Sequence, residues 1–480
     1  MPKRDLDPGR QAGRIALLLL NVLFLTSCDS SDKITPPSSD IIPVRIMVDV
    51  SPDWVDAGWL VRHLPHDYEG ARDSVLVLPD DGEYLLMAGT TDDLHLPNEQ
   101  EFQRGDVAPG DSLSFHLQYS QVPWQARYSE TGPGFWYDVM PLDHGGILVA
   151  GEQGRHPRVA VLDRNGVVQW DEITADNGLF SQILPLGEAG YLLGGHGAEG
   201  ILLSNRGSAG EELWWQCLEL GGHASFAGIM AHGVGEYLLL ASVIKDDGPI
   251  YPALVALDGA GQIQDRINMV GMLNRVPAGL APRIGGGAFI LQARQLKEGS
   301  LNYQAEVVLV DEVGAVEQTL EFGTCEPGNG SSILGLADGG VVVCYLTHDL
   351  SDDLGSTEVV RLSNTGMTLW HISLDIDGFE HLAACRESFD GRILMAGNGH
   401  LFQPVTFQTW LVELDAEGRE LRNMTSNTSP DRTLLWSACW GWDEGLFLTG
   451  GYGDPASAEN EAWVVRTDRH WFIPLATRTD

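Results

Sequence analysis

Asp246-Asp247-Gly248, Asp352-Asp353-Leu354-Gly355 and Asp375-Ile376-Asp377-Gly378 are the most inviting places for chemistry in this chain. Each sets hard carboxylate oxygens beside a turn glycine, which is what a calcium ion requires. None completes the Asp-x-Asp-x-Asp-Gly-x5-Glu spacing, so each reads as a solvated loop and no metal site is expected. His144, His196, His223, His232, His348, His371, His381 and His400 scatter over loops and strand ends, without a His-Glu-x-x-His pair or a cysteine at zinc-site intervals. Gly194-Gly195-His196-Gly197 follows an apolar run, but no helical pattern comes after it. A glycine loop needs a helix N-terminus to cradle phosphate, so that role is excluded. No Gly-x-Ser-x-Gly element marks a serine nucleophile. Asp138, Asp143 and Glu380 lie near strand ends, where an acid and a base from different repeats can converge. They are the candidates for an alternative reading, a hydrolase or lyase with its site at a channel mouth.

The cysteines add little to this. Five remain beyond Cys28: Cys217, Cys325, Cys344, Cys385 and Cys439. An odd number leaves at least one unpaired in an oxidising compartment. Cys325 and Cys344 flank one short strand and are placed to approach each other. Cys385 and Cys439 each precede a repeat glycine by the same six residues as Met140, Leu184, Ile229 and Leu334, and so read as small core hydrophobes.

Charge narrows the partners. The net charge is −38 over 480 residues, with 67 acidic side chains against 29 basic ones. Such a surface repels phosphate backbones, which excludes nucleic acid as a partner.

The elements that must position any site begin with an address. Lys3, Arg4, Arg10 and Arg14 precede the apolar run from Ile15 to Leu25, a basic segment and short hydrophobic core of the secretory kind. Leu25-Thr26-Ser27-Cys28 then resembles the lipobox of bacterial lipoproteins. The resemblance implies a signal peptide over residues 1–27 and lipid attachment at Cys28. Residues 28–43, rich in Ser, Asp and Pro, read as an extended tether. The folded body spans residues 44–480.

That body repeats. A glycine opens an apolar run at Gly82 (GEYLLMAG), Gly146 (GILVAG), Gly190 (GYLLGG), Gly235 (GEYLLLA), Gly287 (GAFILQA), Gly340 (GVVVCYL), Gly391 (GRILMAG) and Gly445 (GLFLTGG), at spacings of 64, 44, 45, 52, 53, 51 and 54. A second landmark, the turn glycines Gly166, Gly207, Gly261, Gly314, Gly366 and Gly418, advances at 41, 54, 53, 52 and 52. The runs are apolar on consecutive residues, as in a sheet covered on both faces. Four short strands cannot bury both faces alone, so neighbouring sheets must stack around an axis. The expectation is an all-β, eight-bladed β-propeller of four-stranded antiparallel blades, with seven blades plus an N-terminal cap as the alternative. Val44 to Val50 is expected to latch the ring by pairing with the last blade, or to extend the edge of the first. Ala462 to Arg466 and then His470 to Pro474 are expected to supply the last two strands.

Leu162 to Trp170 (Leu-Asp-x-x-Gly-x-x-x-Trp) and its variant at Leu362 to Trp370 are similar to the blade motif of PQQ-like propeller repeats. Those occur in quinoprotein dehydrogenases and in non-enzymatic lipoproteins of the BamB type. The resemblance implies tryptophans packed between sheets rather than a bound quinone. The adjacent cysteine pair of the enzymatic members is missing, and Ser363 to Trp370 departs from the sialidase box by placing its glycine one residue early. No catalytic residue, cofactor or metal is therefore expected. The chain reads as a monomeric binding or scaffolding propeller at the bacterial cell envelope, held to the membrane by lipid and meeting a protein or glycan partner.

Overall fold

A computed structural model describes residues 123–471 apart from short loops, the strands between Val44 and Gln121, and a last strand at Arg478–Thr479. Cys28, the signal segment and the tether lie outside the described residues, as do the three acidic clusters apart from Gly248.

Seven sheets, each with four strands in chain order or its equivalent, make the ring. Blades 1 to 6 occupy residues 134–173, 178–218, 223–268, 275–325, 332–374 and 379–426. In blade 1, Gly134–Pro141 is innermost, followed outward by Ile147–Gln153, His156–Leu162 and Val168–Ile173, all antiparallel. The second and third strands are buried almost throughout, as their unbroken apolar runs require. Outer strands alternate and surface. Each seam between blades holds one apolar cluster, such as Leu192, Ile201 and Leu203 of blade 2 against Tyr237, Leu239 and Val255 of blade 3.

Blade 7 corrects the expected count of eight. Its strands Thr433–Trp440, Leu446–Tyr452 and Glu461–Arg466 come from the C-terminal end, but its fourth is Trp124–Tyr128. The register runs from Trp124 opposite Arg466 to Tyr128 opposite Ala462. Arg478–Thr479 adds a short parallel strand outside it. The outer strand expected from His470 to Pro474 is thus supplied by Trp124–Tyr128, and Phe472 to Pro474 lie outside the described residues. Val44–Ser51 does not latch the ring, since it lies between Val75–Leu78 and Ser112–Gln118 in a separate three-stranded sheet. The run after Gly82 is Glu83–Ala88, which pairs with Trp59–His63 and Gln100–Gln103 in another sheet. An apolar run satisfies any sheet that buries it, so the GEYLLMAG pattern had the right strand and the wrong neighbours.

Two local devices explain the repeat glycines. Six of the seven inner strands carry a β-bulge, at Trp136/Asp138, Phe180/Gln182, Phe226/Gly228, Pro277/Gly279, Leu382/Ala384 and Leu435/Ser437. Opposite the bulge, the carbonyls of Phe135, Leu179 and Leu434 press on Gly151, Gly195 and Gly450, where a Cβ would collide with them. The second glycine of GILVAG and its copies is thus a close-approach glycine.

The other device is the outer turn. Asp163 accepts from the Asn165 and Val167 amides at 2.8 and 2.9 Å, and Gly166 closes the turn at φ +79. Asp258, Asp311 and Asp415 repeat it, and Ser363 substitutes its hydroxyl. In blade 2 the glycine in this place is Gly210, with Gly207 standing where the Asp would be. A side chain from the preceding blade donates to the carbonyl just after that Asp. Trp124 Nε1 reaches Arg164 O at 2.6 Å, Trp214 reaches Gly259 O at 2.8 Å, and Trp370 reaches Ala416 O at 2.9 Å. Blade 7 has the same turn built as Asp468-Arg469-His470-Trp471, where Trp471 takes the glycine's place at φ 63 and Arg422 donates to Arg469 O at 2.7 Å.

Candidate functional site: the axial channel

Each of the six bulges aims one extra residue at the axis. Tyr137, Ser181, Ala227, Ala278, Ala383 and Trp436 all line a central cavity of about 830 Å3. Four of these are small, so the space stays open on their side. Tyr137 and Trp436, from the adjoining blades 1 and 7, meet edge to face at 5.2 Å between centroids and fill the other.

The residue after each bulge decides what polar chemistry the channel holds. Asp138 is 4% exposed, and its carboxylate accepts from four donors. They are its neighbour Val139 N at 2.9 Å, Ile183 N of blade 2 at 2.8 Å, Ser437 Oγ of blade 7 at 2.8 Å, and Arg386 Nη2 of blade 6 at 2.8 Å. One side chain thereby holds four blades. Gln182 performs the same service between blades 2 and 3, accepting from Ile229 N at 2.9 Å and donating to Ile229 O at 3.1 Å. Asn398 does so between blades 6 and 7, through Leu435 N at 2.8 Å and Leu435 O at 2.7 Å.

Toward the end where the inner strands begin, the Tyr137 hydroxyl donates to Glu152 Oε1 at 3.0 Å. Burial, reinforced by the Glu152 charge, pushes the Tyr137 hydroxyl well above its ordinary range. Burial also raises Glu152, against the opposing pull of the Tyr137 hydrogen bond and Arg155. The Tyr137 shift keeps its hydroxyl protonated as the donor, whereas the Glu152 shift favours the protonated carboxyl and so opposes its role as acceptor. Desolvation lowers the His196 imidazole, leaving it neutral near pH 7.

The expected catalytic candidates are not assembled. Asp138 is in the channel but committed to the frame, and Asp143 is exposed in the turn beyond Pro141. Glu380 lies on the inner strand Phe379–Glu387 of blade 6, opposite Gly399, and its side chain lies outside the described residues. Among the described residues no three His, Cys, Asp or Glu side chains are grouped to hold a metal. Gly194-Gly195-His196-Gly197 ends a strand rather than forming a loop, with Phe226 packed over Gly194. Cys385 and Cys439 are buried in the core, whereas Cys217 is exposed. Cys325 and Cys344 do not meet: Cys325 belongs to the seam of blades 4 and 5, and Cys344 to that of blades 5 and 6. The lacing residues Gln182, Asn398 and Ser437 escaped sequence reasoning because polar side chains on buried strands carry no local mark of their partners.

The fold defines a seven-bladed β-propeller. No protein-family model matches the chain, and no curated protein does. Similar solved structures include the Pan2 WD40 domain of Neurospora crassa, at 10% identity and a TM-score of 0.45 over 70% of this chain and 89% of that one. Another is BBS1N in complex with ARL6DN, at 11% identity and a TM-score of 0.42 over 71% and 97%. A study of two prolyl endopeptidases supplies a third, at 10% identity and a TM-score of 0.41 over 73% of this chain and 47% of that one.

Proposed function

We propose that this chain is a non-catalytic binding propeller, lipid-anchored at Cys28 to a bacterial membrane and carried as a monomer above it on residues 28–43. It engages a protein or glycan partner of the cell envelope. The observation that carries this reading is a contrast within the channel. Asp138, Gln182 and Ser437 spend their polar atoms on neighbouring blades, while an aromatic at the opposite mouth is unspent. Phe389, in the turn after the inner strand of blade 6, lines that mouth and is fully exposed. A buried aromatic anchor ringed by polar groups is the usual energetic centre of an interface. The strongly acidic surface favours a neutral or basic partner.

The soluble form from Ser30 to Asp480 should recover a partner from an envelope extract, and Phe389→Ala should lose it with unchanged thermal stability. Mass spectrometry of the full chain made in a bacterial host should find an acylated Cys28 at the mature N-terminus. Turnover of a glycan or ester that disappears in a folded Asp138→Asn variant would overturn the non-catalytic reading. An unmodified Cys28 would overturn the anchor.

A further inference from the structure

Alternation along a strand sends successive side chains to opposite faces. In Val341–Leu346 of blade 5, Val341, Val343 and Tyr345 face blade 4 and share a buried cluster with Cys325. Val342 and Cys344 face blade 6 and share theirs with Cys385, Ile393, Met395 and Trp410. The sheet itself therefore separates Cys325 from Cys344 and turns Cys344 toward Cys385. Cys344 is 0% exposed and Cys385 1%, one on each side of the seam. Within that cluster the two thiols lie close enough for Cys385 to raise the Cys344 thiol. The structure joins neither cysteine in a disulfide.

We propose that Cys344 and Cys385 are a latent inter-blade cross-link, a disulfide-forming pair that sews blade 5 to blade 6 when the chain is oxidised. The oxidant is a small-molecule disulfide or a disulfide-bearing oxidoreductase. One thiol gives up its proton and attacks a sulfur of the reagent, expelling the other reagent sulfur as a thiolate. The second thiol, deprotonated in turn, attacks the mixed disulfide and expels the remaining reagent sulfur. The protein loses two electrons and two protons, and the reagent disulfide gains them as two thiols.

The same burial that brings the thiols together also protects them. The neighbouring Cys385 and then desolvation hold the Cys344 thiol well above its ordinary range, so the attacking thiolate does not form inside the closed seam. Oxidation belongs to the folding chain, or to brief openings of the seam. Among the described residues of the folded protein the exposed Cys217 is the competing site.

The test is to refold the full chain in a buffer of reduced and oxidised glutathione and map its peptides without reduction. A Cys344 peptide joined to a Cys385 peptide is expected, with a thermal midpoint about 5 °C above the reduced form, since the bridge closes a loop of about 40 residues. Already folded protein in the same buffer should take up glutathione at Cys217 and cross-link at least tenfold more slowly. Cys217→Ala should leave the link intact, while Cys344→Ala and Cys385→Ala abolish it. Because either of those two changes weakens the seam, mapping of the unaltered chain decides. Both thiols still open to alkylation after oxidative refolding, or either one joined to another cysteine, would overturn the proposal.

Discussion

Replacing Trp124 by alanine should open the ring at its one junction between distant parts of the chain. Trp124 is 7% exposed; its indole covers Gly166 and approaches Phe447 at 6.4 Å between centroids. A tryptophan buries about 200 Å2, and at about 25 cal/mol per Å2 that amounts to about 5 kcal/mol as an upper bound. Alanine keeps a small part of it, while the lost bond to Arg164 O adds about 1 kcal/mol. With the area term reduced by about a quarter for a compact unfolded chain, the expected loss is about 4 kcal/mol, within the range for removing a buried aromatic. Urea unfolding gives the total, and native-state hydrogen exchange locates it. Amides of Trp124–Tyr128 and Glu461–Arg466 should lose protection first, because these strands hydrogen-bond to each other. Trp214→Ala, at the matching place in blade 2, should cost less and leave blade 7 protected, since Trp214 is only half-buried and chain continuity already joins its neighbours. A loss below about 1 kcal/mol, or protection lost evenly around the ring, would refute the closing role of Trp124.

Further outcomes follow from the same geometry. Asp138→Ala strands four donors from four blades and should cost about 3 kcal/mol or more in urea unfolding; an unchanged midpoint would deny it a framing role. Glu172 takes both terminal nitrogens of the buried Arg206, at 2.7 and 2.8 Å, which holds its carboxyl below the ordinary 4.5. A depressed carboxylate contributes stability above its unfolded value and loses it as pH falls through the folded value. The thermal midpoints of the unaltered chain and Glu172→Gln should therefore differ at pH 7 and converge below about pH 4.5; a pH-independent gap would contradict the pairing. Gly261 and Gly391 have φ of +73 and +80, but a Cβ on Gly261 would meet the Trp214 ring at 2.6 Å and one on Gly391 would meet nothing within 4 Å. Gly391→Ala should cost about 1 kcal/mol and Gly261→Ala at least about twice that; equal costs would show that the indole yields freely.

The blade unit was legible because buried strands leave consecutive apolar residues and their turns leave glycine at fixed intervals. The seven anchors from Gly146 to Gly445 each open the second strand of a real blade. The count failed at the ends, where the signals are shared between distant segments. In blades 1, 2 and 5 the outer turn and its tryptophan lie four residues apart, as in Gly166 and Trp170. In blade 7 the turn is Asp468 to Trp471 and the tryptophan is Trp124, so neither half looks complete. Trp471, fully buried at the glycine's position, hid the turn further. The 64-residue gap after Gly82 was the available warning. In the channel, Asp138 was legible as a carboxylate near an inner-strand end. Its neighbours were not, because Ser437, 299 residues away, and Arg386, 248 away, reach it only once the circle is closed.

Of all the propeller's strands, Trp124–Tyr128 is first to be synthesised and last to find its place. Until Glu461–Arg466 exists, its peptide groups have no partner in this sheet, and the incomplete seventh sheet has a bare edge of its own. A second copy carries an identical strand, able to make every bond that the chain's own strand makes. Crowded folding intermediates would therefore trade this segment reciprocally, and the characteristic misassembled species is a pair of rings, each fastened by the other's strand.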